Sequence, residues 1–275
     1  MIDQSVALTF TAHNVELPDG SETLRGRELI ADNAVCRAAL KNLESAFPSG
    51  PDGVRVADLG CLEGGHSAAF ARAGYDVTGF EARLENFLCC RYLQERLALP
   101  NLRYVRADVR DVFDGGTQFD AVFCCGLLYH LDEPVKFLRQ LGAATRHLLM
   151  VQTHYSTRPD ARHEGCDGHW YDEQTTARWA SWKNPRSFWL TKSDLMGVMR
   201  DEFGHVFEQA DAVSANPGPD ARSMFVGLKA PRKYPESADN LRIPPDPGPE
   251  AQQSPTSPDE DSKTAKSHSK NKSIT

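Results

Sequence analysis

Three carboxylates stand at regular intervals, each closing a short β-prone run: Asp58 after Val54 to Ala57, Glu81 after Asp76 to Phe80, and Asp108 after Leu102 to Arg106. Between the first two lies Gly60-Cys61-Leu62-Glu63-Gly64-Gly65, whose glycines let the backbone approach a ligand with no Cβ in the way. Alone, that loop is what any tight strand-to-helix turn needs. Glu81 adds a second constraint, because a carboxylate about twenty residues past such a loop is placed to accept from both ribose hydroxyls of an adenosine. Asp108, with Val109 beside it, is placed to accept from the adenine amino group. Each acid taken singly is an ordinary solvated strand end. Three at consecutive strand ends point to a nucleoside pocket. A dinucleotide pyrophosphate is the competing ligand, but it prefers Gly-x-Gly-x-x-Gly feeding into a helix N-terminus. Glu63 inside the loop would repel a diphosphate and suit a cationic sulfonium that carries an amino group.

The elements that must hold these residues alternate. Helix-like segments at Ser67 to Ala73, Arg83 to Leu97 and Pro134 to Leu141 separate the strands, with Phe119 to Cys125 and His147 to Gln152 as the fourth and fifth. Phe119 to Cys125 is nearly continuous in apolar residues, as a strand buried on both faces should be. Lys192 to Phe203 reads as a helix, and His205–Gln209 and Ser223–Lys229 as two final strands joined by a short link, hence antiparallel neighbours at a sheet edge. Strands alternating with helices imply an α/β fold with a mainly parallel, seven-stranded sheet covered on both faces. In front lie an extended piece, Leu8 to Leu17, and an amphipathic helix near Glu28 to Phe47. The expected organisation is an N-terminal extension (1–50), a catalytic domain (51–230) with an insert at 153–191, and a disordered tail (231–275).

From Val54 to Gln152 the chain resembles the class I S-adenosylmethionine-dependent methyltransferases. The resemblance rests on Asp58, Gly60, Gly64, Glu81, Asp108 and the Phe119–Cys125 strand, and it implies a Rossmann-like fold with S-adenosylmethionine as cofactor. Carried onto this sequence, the cofactor-binding set is Asp58, Gly60, Cys61, Glu63, Gly64, Glu81, Asp108, Val109 and Cys125. One departure is Leu62, which stands at the usual middle glycine of the loop. It keeps open the reading of a non-catalytic scaffold, against which the three intact acids argue. After strand four, Gly126-Leu127-Leu128-Tyr129-His130-Leu131 falls where the transferable methyl would sit, so Tyr129 or His130 could orient or deprotonate an acceptor; His130 could equally be a helix-start residue. The run through Asp132-Glu133-Pro134 is similar to the tRNA wobble-uridine carboxymethyltransferases, which makes carboxymethyl or methyl transfer to tRNA the second reading.

The segment Thr153 to Thr191 holds all four tryptophans, Trp170, Trp179, Trp182 and Trp189. Segments this long are usually functional lids or binding walls; the alternative is a small helical subdomain with the tryptophans as its own core. Together with the front segment it is expected to build the acceptor side from His13, His154, Trp170 and Tyr171. Within it, His163, Cys166 and His169, with His154, resemble part of a zinc set but fall short of a complete one, and no metal is expected.

The chain carries 31 basic and 38 acidic side chains, a net charge of −7. Residues 231–275 hold seven of each, so residues 1–230 carry the whole excess, 24 against 31. An acidic body is a poor match for a phosphate backbone, so the expected acceptor is a small molecule and not nucleic acid. No apolar run reaches membrane-spanning length, and the N-terminus lacks a signal-peptide pattern. The seven cysteines, two pairs of them adjacent, show no disulfide framework, which together point to the cytoplasm. The tail holds eight of the 17 prolines and few large apolar residues, too little to offset the entropy of ordering it.

Overall fold

Asn33 starts the first helix by accepting a hydrogen bond from the Val35 amide, so α1 spans Ala34–Ala46 and begins later than the apolar pattern alone indicates. A 3-10 turn, Ile30–Asp32, occupies the stretch before it. The alternating segment follows as β1 (Arg55–Leu59), α2 (Gly65–Arg72), β2 (Asp76–Glu81), α3 (Leu84–Leu97), β3 (Leu102–Arg106), α4 (Val109–Val112), β4 (Phe119–Cys125), α5 (Pro134–Ala144) and β5 (Thr145–His154). Pro134 sits in the first turn of α5, where its missing N–H costs no hydrogen bond. These elements come from a computed structural model, which describes residues 8–113, 116–174, 178–209 and 222–229. All of them belong to the first of the chain's two units, Met1–Ile243. The expected disordered tail and the link between the last two strands lie outside the described residues.

After β5 come the insert strands β6 (Ala161–His163), β7 (Cys166–Asp172) and β8 (Arg186–Leu190), then α6 (Lys192–Glu202), β9 (His205–Gln209) and β10 (Arg222–Leu228). The main sheet has seven strands in the order β3-β2-β1-β4-β5-β10-β9. The first five are parallel, and β10 runs antiparallel to both β5 and β9, so the last two strands are the antiparallel edge pair that their short connection implied. This is the Rossmann-like arrangement. Side-chain alternation along the strands builds two cores. Ala121 and Phe123 of β4 pack with residues of α1, α2 and α3, whereas Val122 and Cys124 pack with those of α5 and α6. The chain leaves β1 toward β2 and later returns on its other side as β4. Loops from β1 and β4 therefore part above β1, and in open α/β sheets a ligand binds at that point.

The insert is not helical. Its strands form a three-stranded antiparallel sheet. Glu164 and Gly165, with φ of 50° and 83°, make the two-residue turn between β6 and β7, the combination that a type I′ hairpin requires. Gly168 lets β7 lie against β8: a Cβ there would stand 2.2 Å from the Trp189 carbonyl oxygen. The sheet is tied to the loop after β4 through the Phe188 amide, which donates to the Leu131 carbonyl at 2.9 Å.

Candidate active site

The C-terminal ends of β1 to β4 frame an open cleft with Gly60, Leu62, Glu81, Asp108, Val109 and Leu127 on its walls. Glu81, only 7% exposed, accepts from the Leu62 amide at 3.1 Å and the Arg83 amide at 2.7 Å, one to each carboxylate oxygen. Burial pushes its carboxyl up to about 7 in spite of those bonds. The Asn86 side chain is a third donor to it, and the carboxylate faces the cleft as an acceptor for ligand hydroxyls. Asp108 caps α4 through the Arg110 amide and pairs with the Arg110 guanidinium at 2.9 and 2.5 Å. Burial works to raise it, but Arg110 holds its carboxyl below the usual range. Leu62, Val109 and Leu127 supply apolar wall. The set fits an adenosyl group.

Residues 178–184 of the insert cross the mouth of this cleft as a strap. Arg178 donates to the Thr9 carbonyl at 2.6 Å and to the Asn86 side chain at 3.1 Å, and lies 3.7 Å from Glu63. Arg83 reaches back to the carbonyls of Ala180 and Ser181 at 3.1 and 2.8 Å. Ser181 and Asn184 both donate to the His130 carbonyl.

A second cleft opens beside the first. Tyr129, His130, His154, Tyr171, Glu173 and Trp189 line it, with Gln174 and Trp179 at its edge. His130 borders both clefts. Its Nδ1 lies 2.9 Å from Glu173 Oε1, which also accepts from the Ser187 hydroxyl at 2.9 Å. Burial opposes ionisation of Glu173, yet its hydrogen bond with His130 keeps the carboxyl below its ordinary value. A carboxylate only accepts, so the shared proton belongs to Nδ1 and the lone pair to Nε2. Tyr129 is pushed the other way: burial raises its phenol, which favours the neutral form.

Several residues singled out from the sequence are placed elsewhere. Glu63 is fully buried and bound by the front segment: its oxygens accept from the Thr11 amide and hydroxyl at 2.7 and 2.8 Å and from the amides of Ala12 and His13 at 3.0 and 2.9 Å. These four bonds turn it toward the front segment, and it does not line the cleft. Asp58 is buried beneath the loop, accepting from Ser67 at 2.6 Å, and burial lifts its carboxyl to about 7. Cys61 lies under the same loop, its Sγ 3.7 Å from that of Cys90. Gly64 adjoins Tyr104, whose hydroxyl donates to the Gly64 carbonyl at 2.7 Å. Cys125 packs on Gln152 at 3.5 Å. These five shape the loop from below and are not on the cleft wall. His13 is also internal. Its Nδ1 accepts from the Gly65 amide at 2.9 Å, and burial lowers it to about 4, so it caps α2 instead of lining an acceptor site. Trp170 packs against His163, Phe188 and Arg186 within the insert's own core. His154 and Tyr171 do reach the second cleft. His169 pairs with Asp160 at 2.8 Å, and among the described residues no three His, Cys, Asp or Glu side chains converge as a metal set.

Sequence reasoning missed Glu173 and Arg178, which lie in the insert 43 and 115 residues from His130 and Glu63 respectively. No local spacing connects partners so far apart. The one available signal was Glu164-Gly165 between alternating residues, which marks the hairpin that carries Glu173 toward His130.

Comparison with known proteins agrees with this geometry. Residues 57–147 match the family model described as "Methyltransferase domain". Over 93 residues the chain is 34% identical to a tRNA U34 carboxymethyltransferase of Campylobacter hominis, covering 34% of this chain and 32% of that one. It is 30% identical over 114 residues to a mitochondrial ubiquinone biosynthesis O-methyltransferase of Arabidopsis thaliana, covering 41% and 35%. The chain thus spans about a third of the length of these curated relatives. Among solved structures, the N-terminal domain of EvdMO1, determined in the presence of SAH (S-adenosylhomocysteine) and D-fucose, superposes with a TM-score of 0.62 at 26% identity, covering 77% of this chain and 88% of that one. Strand order, the Gly60–Gly65 loop, Glu81 at the end of β2 and the match over residues 57–147 converge: that stretch is similar to methyltransferase domains, and its fold to that of a domain determined with SAH bound.

Proposed function

We propose that this protein methylates a hydroxyl oxygen of a small-molecule acceptor, with His130 as general base. The observation that carries the reading is the position of His130, which borders both clefts while Glu173 holds its Nδ1. Glu81, Gly60, Val109 and Asp108 would hold S-adenosylmethionine, which would supply an activated methyl group on sulfur for in-line transfer to the acceptor oxygen, so positioning and exclusion of water are the main requirements on this chain's residues. His130 Nε2 takes the hydroxyl proton and Glu173 stabilises the resulting imidazolium. Tyr129 and His154 orient the acceptor, and the strap shuts out water. Two comparisons support a hydroxyl acceptor: the Arabidopsis relative is an O-methyltransferase, and the EvdMO1 domain was determined with D-fucose present. Seven free cysteines suit a reducing cytoplasm; no helix among the described residues is long and apolar enough to cross a membrane.

Carboxymethyl or methyl transfer to tRNA is the second reading, favoured by the Campylobacter match and opposed by the acidic charge of residues 1–230. Labelled methyl donor incubated with a metabolite extract and, separately, with total tRNA distinguishes them. Label should enter small molecules, and His130→Ala should cut that transfer by about 10²–10⁴-fold with SAH affinity retained. Glu173→Gln should remove most of it too. Label confined to tRNA, or transfer indifferent to His130, refutes the proposal; SAH binding with no transfer to any acceptor would make the chain a scaffold.

A further inference from the structure

Exposed aromatic surface on this molecule is concentrated in one place. Among the described residues three large apolar side chains are exposed: Leu84 at 37%, Tyr171 at 41% and Trp179 at 64%. Two of the three line the second cleft. Apolar surface left open beside a catalytic base is surface that a ligand covers.

The form of that surface narrows the ligand. Trp189 is itself buried, 7% exposed, with Tyr171 stacked on it at 4.8 Å and 15° and His154 at 5.0 Å and 11°. Trp189 also uses its indole N–H on the Tyr129 carbonyl at 2.8 Å. The platforms that remain are Tyr171 and Trp179, at the mouth. The rest of the lining is rich in hydrogen-bonding side chains: His130, His154, Glu173, Gln174 and the Tyr129 phenol. A flat phenolic acceptor gains most from an apolar slot that covers both its faces. An aromatic platform beside a polar wall instead suits a ring with one C–H face and a girdle of hydroxyls, because the electron-rich aromatic face attracts weakly polarised C–H groups. The base also fits. An aliphatic hydroxyl is far less acidic than a phenol, and a histidine backed by a buried carboxylate is better equipped to take its proton.

We infer that the second cleft is a saccharide site, and that the acceptor is a pyranose seated on Tyr171 and Trp179 with one ring hydroxyl presented to His130. This rests on the hydroxyl-methylation reading above and names its substrate class.

The test separates the two. Saturation-transfer NMR on the full chain with SAH bound would use D-galactose and L-rhamnose as saccharide probes and catechol as the phenolic one. Saturation should pass to the C–H protons of at least one sugar. Tyr171→Ala should reduce the effect at least fivefold and Tyr171→Phe should retain it, while both variants keep SAH affinity, since Tyr171 does not line the cofactor cleft. The same sugars, supplied with S-adenosylmethionine, should yield a methyl ether in a His130-dependent reaction. Catechol bound and methylated through His130 with the sugars ignored would overturn the saccharide assignment and leave hydroxyl methylation standing. Sugar saturation equal in wild type and Tyr171→Ala would overturn the platform. Sugars bound through Tyr171 with no His130-dependent transfer would uphold the site and refute the reaction.

Discussion

Leu62 holds φ at 53° at the position where the family pattern has a glycine. The backbone of the loop is therefore that of the glycine version, at a cost of about 1–2 kcal/mol for a side chain in the left-handed region, and the Leu62 side chain becomes cleft wall. Gly64 has no such latitude. Its φ is 83°, and a Cβ would stand 2.7 Å from the Tyr104 hydroxyl and 2.8 Å from its ring. Gly64→Ala should abolish measurable SAH binding by calorimetry and lower the melting temperature by several degrees; a variant that binds normally would show that the loop is not built as described. Glu81 gives a pH prediction. Its carboxyl is raised to about 7 by burial, and ribose hydroxyls donate to the ionised form, so affinity is full above that value and falls as pH drops through it. SAH affinity should weaken roughly tenfold between pH 8 and 6, and Glu81→Gln should bind more weakly but with that dependence flattened. A wild-type affinity that does not change over this range contradicts the role.

The strap is the element on which access to the cofactor depends. Arg178 joins it to the front segment and α3, and hydrogen bonds to a charged group contribute about 1.5–3 kcal/mol each. Arg178→Ala should speed SAH dissociation tenfold or more in stopped-flow measurements with little change in association; unchanged dissociation would mean that the strap is packing alone. The contrast between the main sheet and the insert shows what a sequence discloses. Phe119 to Cys125 and the other parallel strands are legible because burial on both faces demands an apolar run, and Glu81 and Asp108 are legible because they follow such runs. β6 is only three residues long and β7 is mostly polar and interrupted by Gly168, and what stabilises them is tertiary: Gly168 against β8, and Trp170 on Phe188. The same holds within the loop. Asp58, Glu63 and Cys61 have the right types for a ligand, but only packing reveals that Ser67, Thr11 and Cys90 are their partners. Composition places His13 and Trp170 on the acceptor side, whereas in the structure His13 is buried on the Gly65 amide and Trp170 is partly buried against His163 and Phe188.

Across the molecule, the divergence of the chain at β1 sets where the first cleft lies, and the insert attached after β5 adds Tyr171, Trp189 and Glu173, the partner of His130, to the second. The account depends on the first cleft being an S-adenosyl site and not a dinucleotide site on a similar sheet. Calorimetric titration of the protein with SAH and with NAD, in parallel for wild type and Glu81→Ala, tests this most directly. The account predicts saturable one-site SAH binding, no detectable NAD binding, and a loss of about 1–3 kcal/mol in SAH affinity when the ribose carboxylate is removed. Tight NAD binding with no heat from SAH, or SAH affinity unchanged in Glu81→Ala, would contradict it.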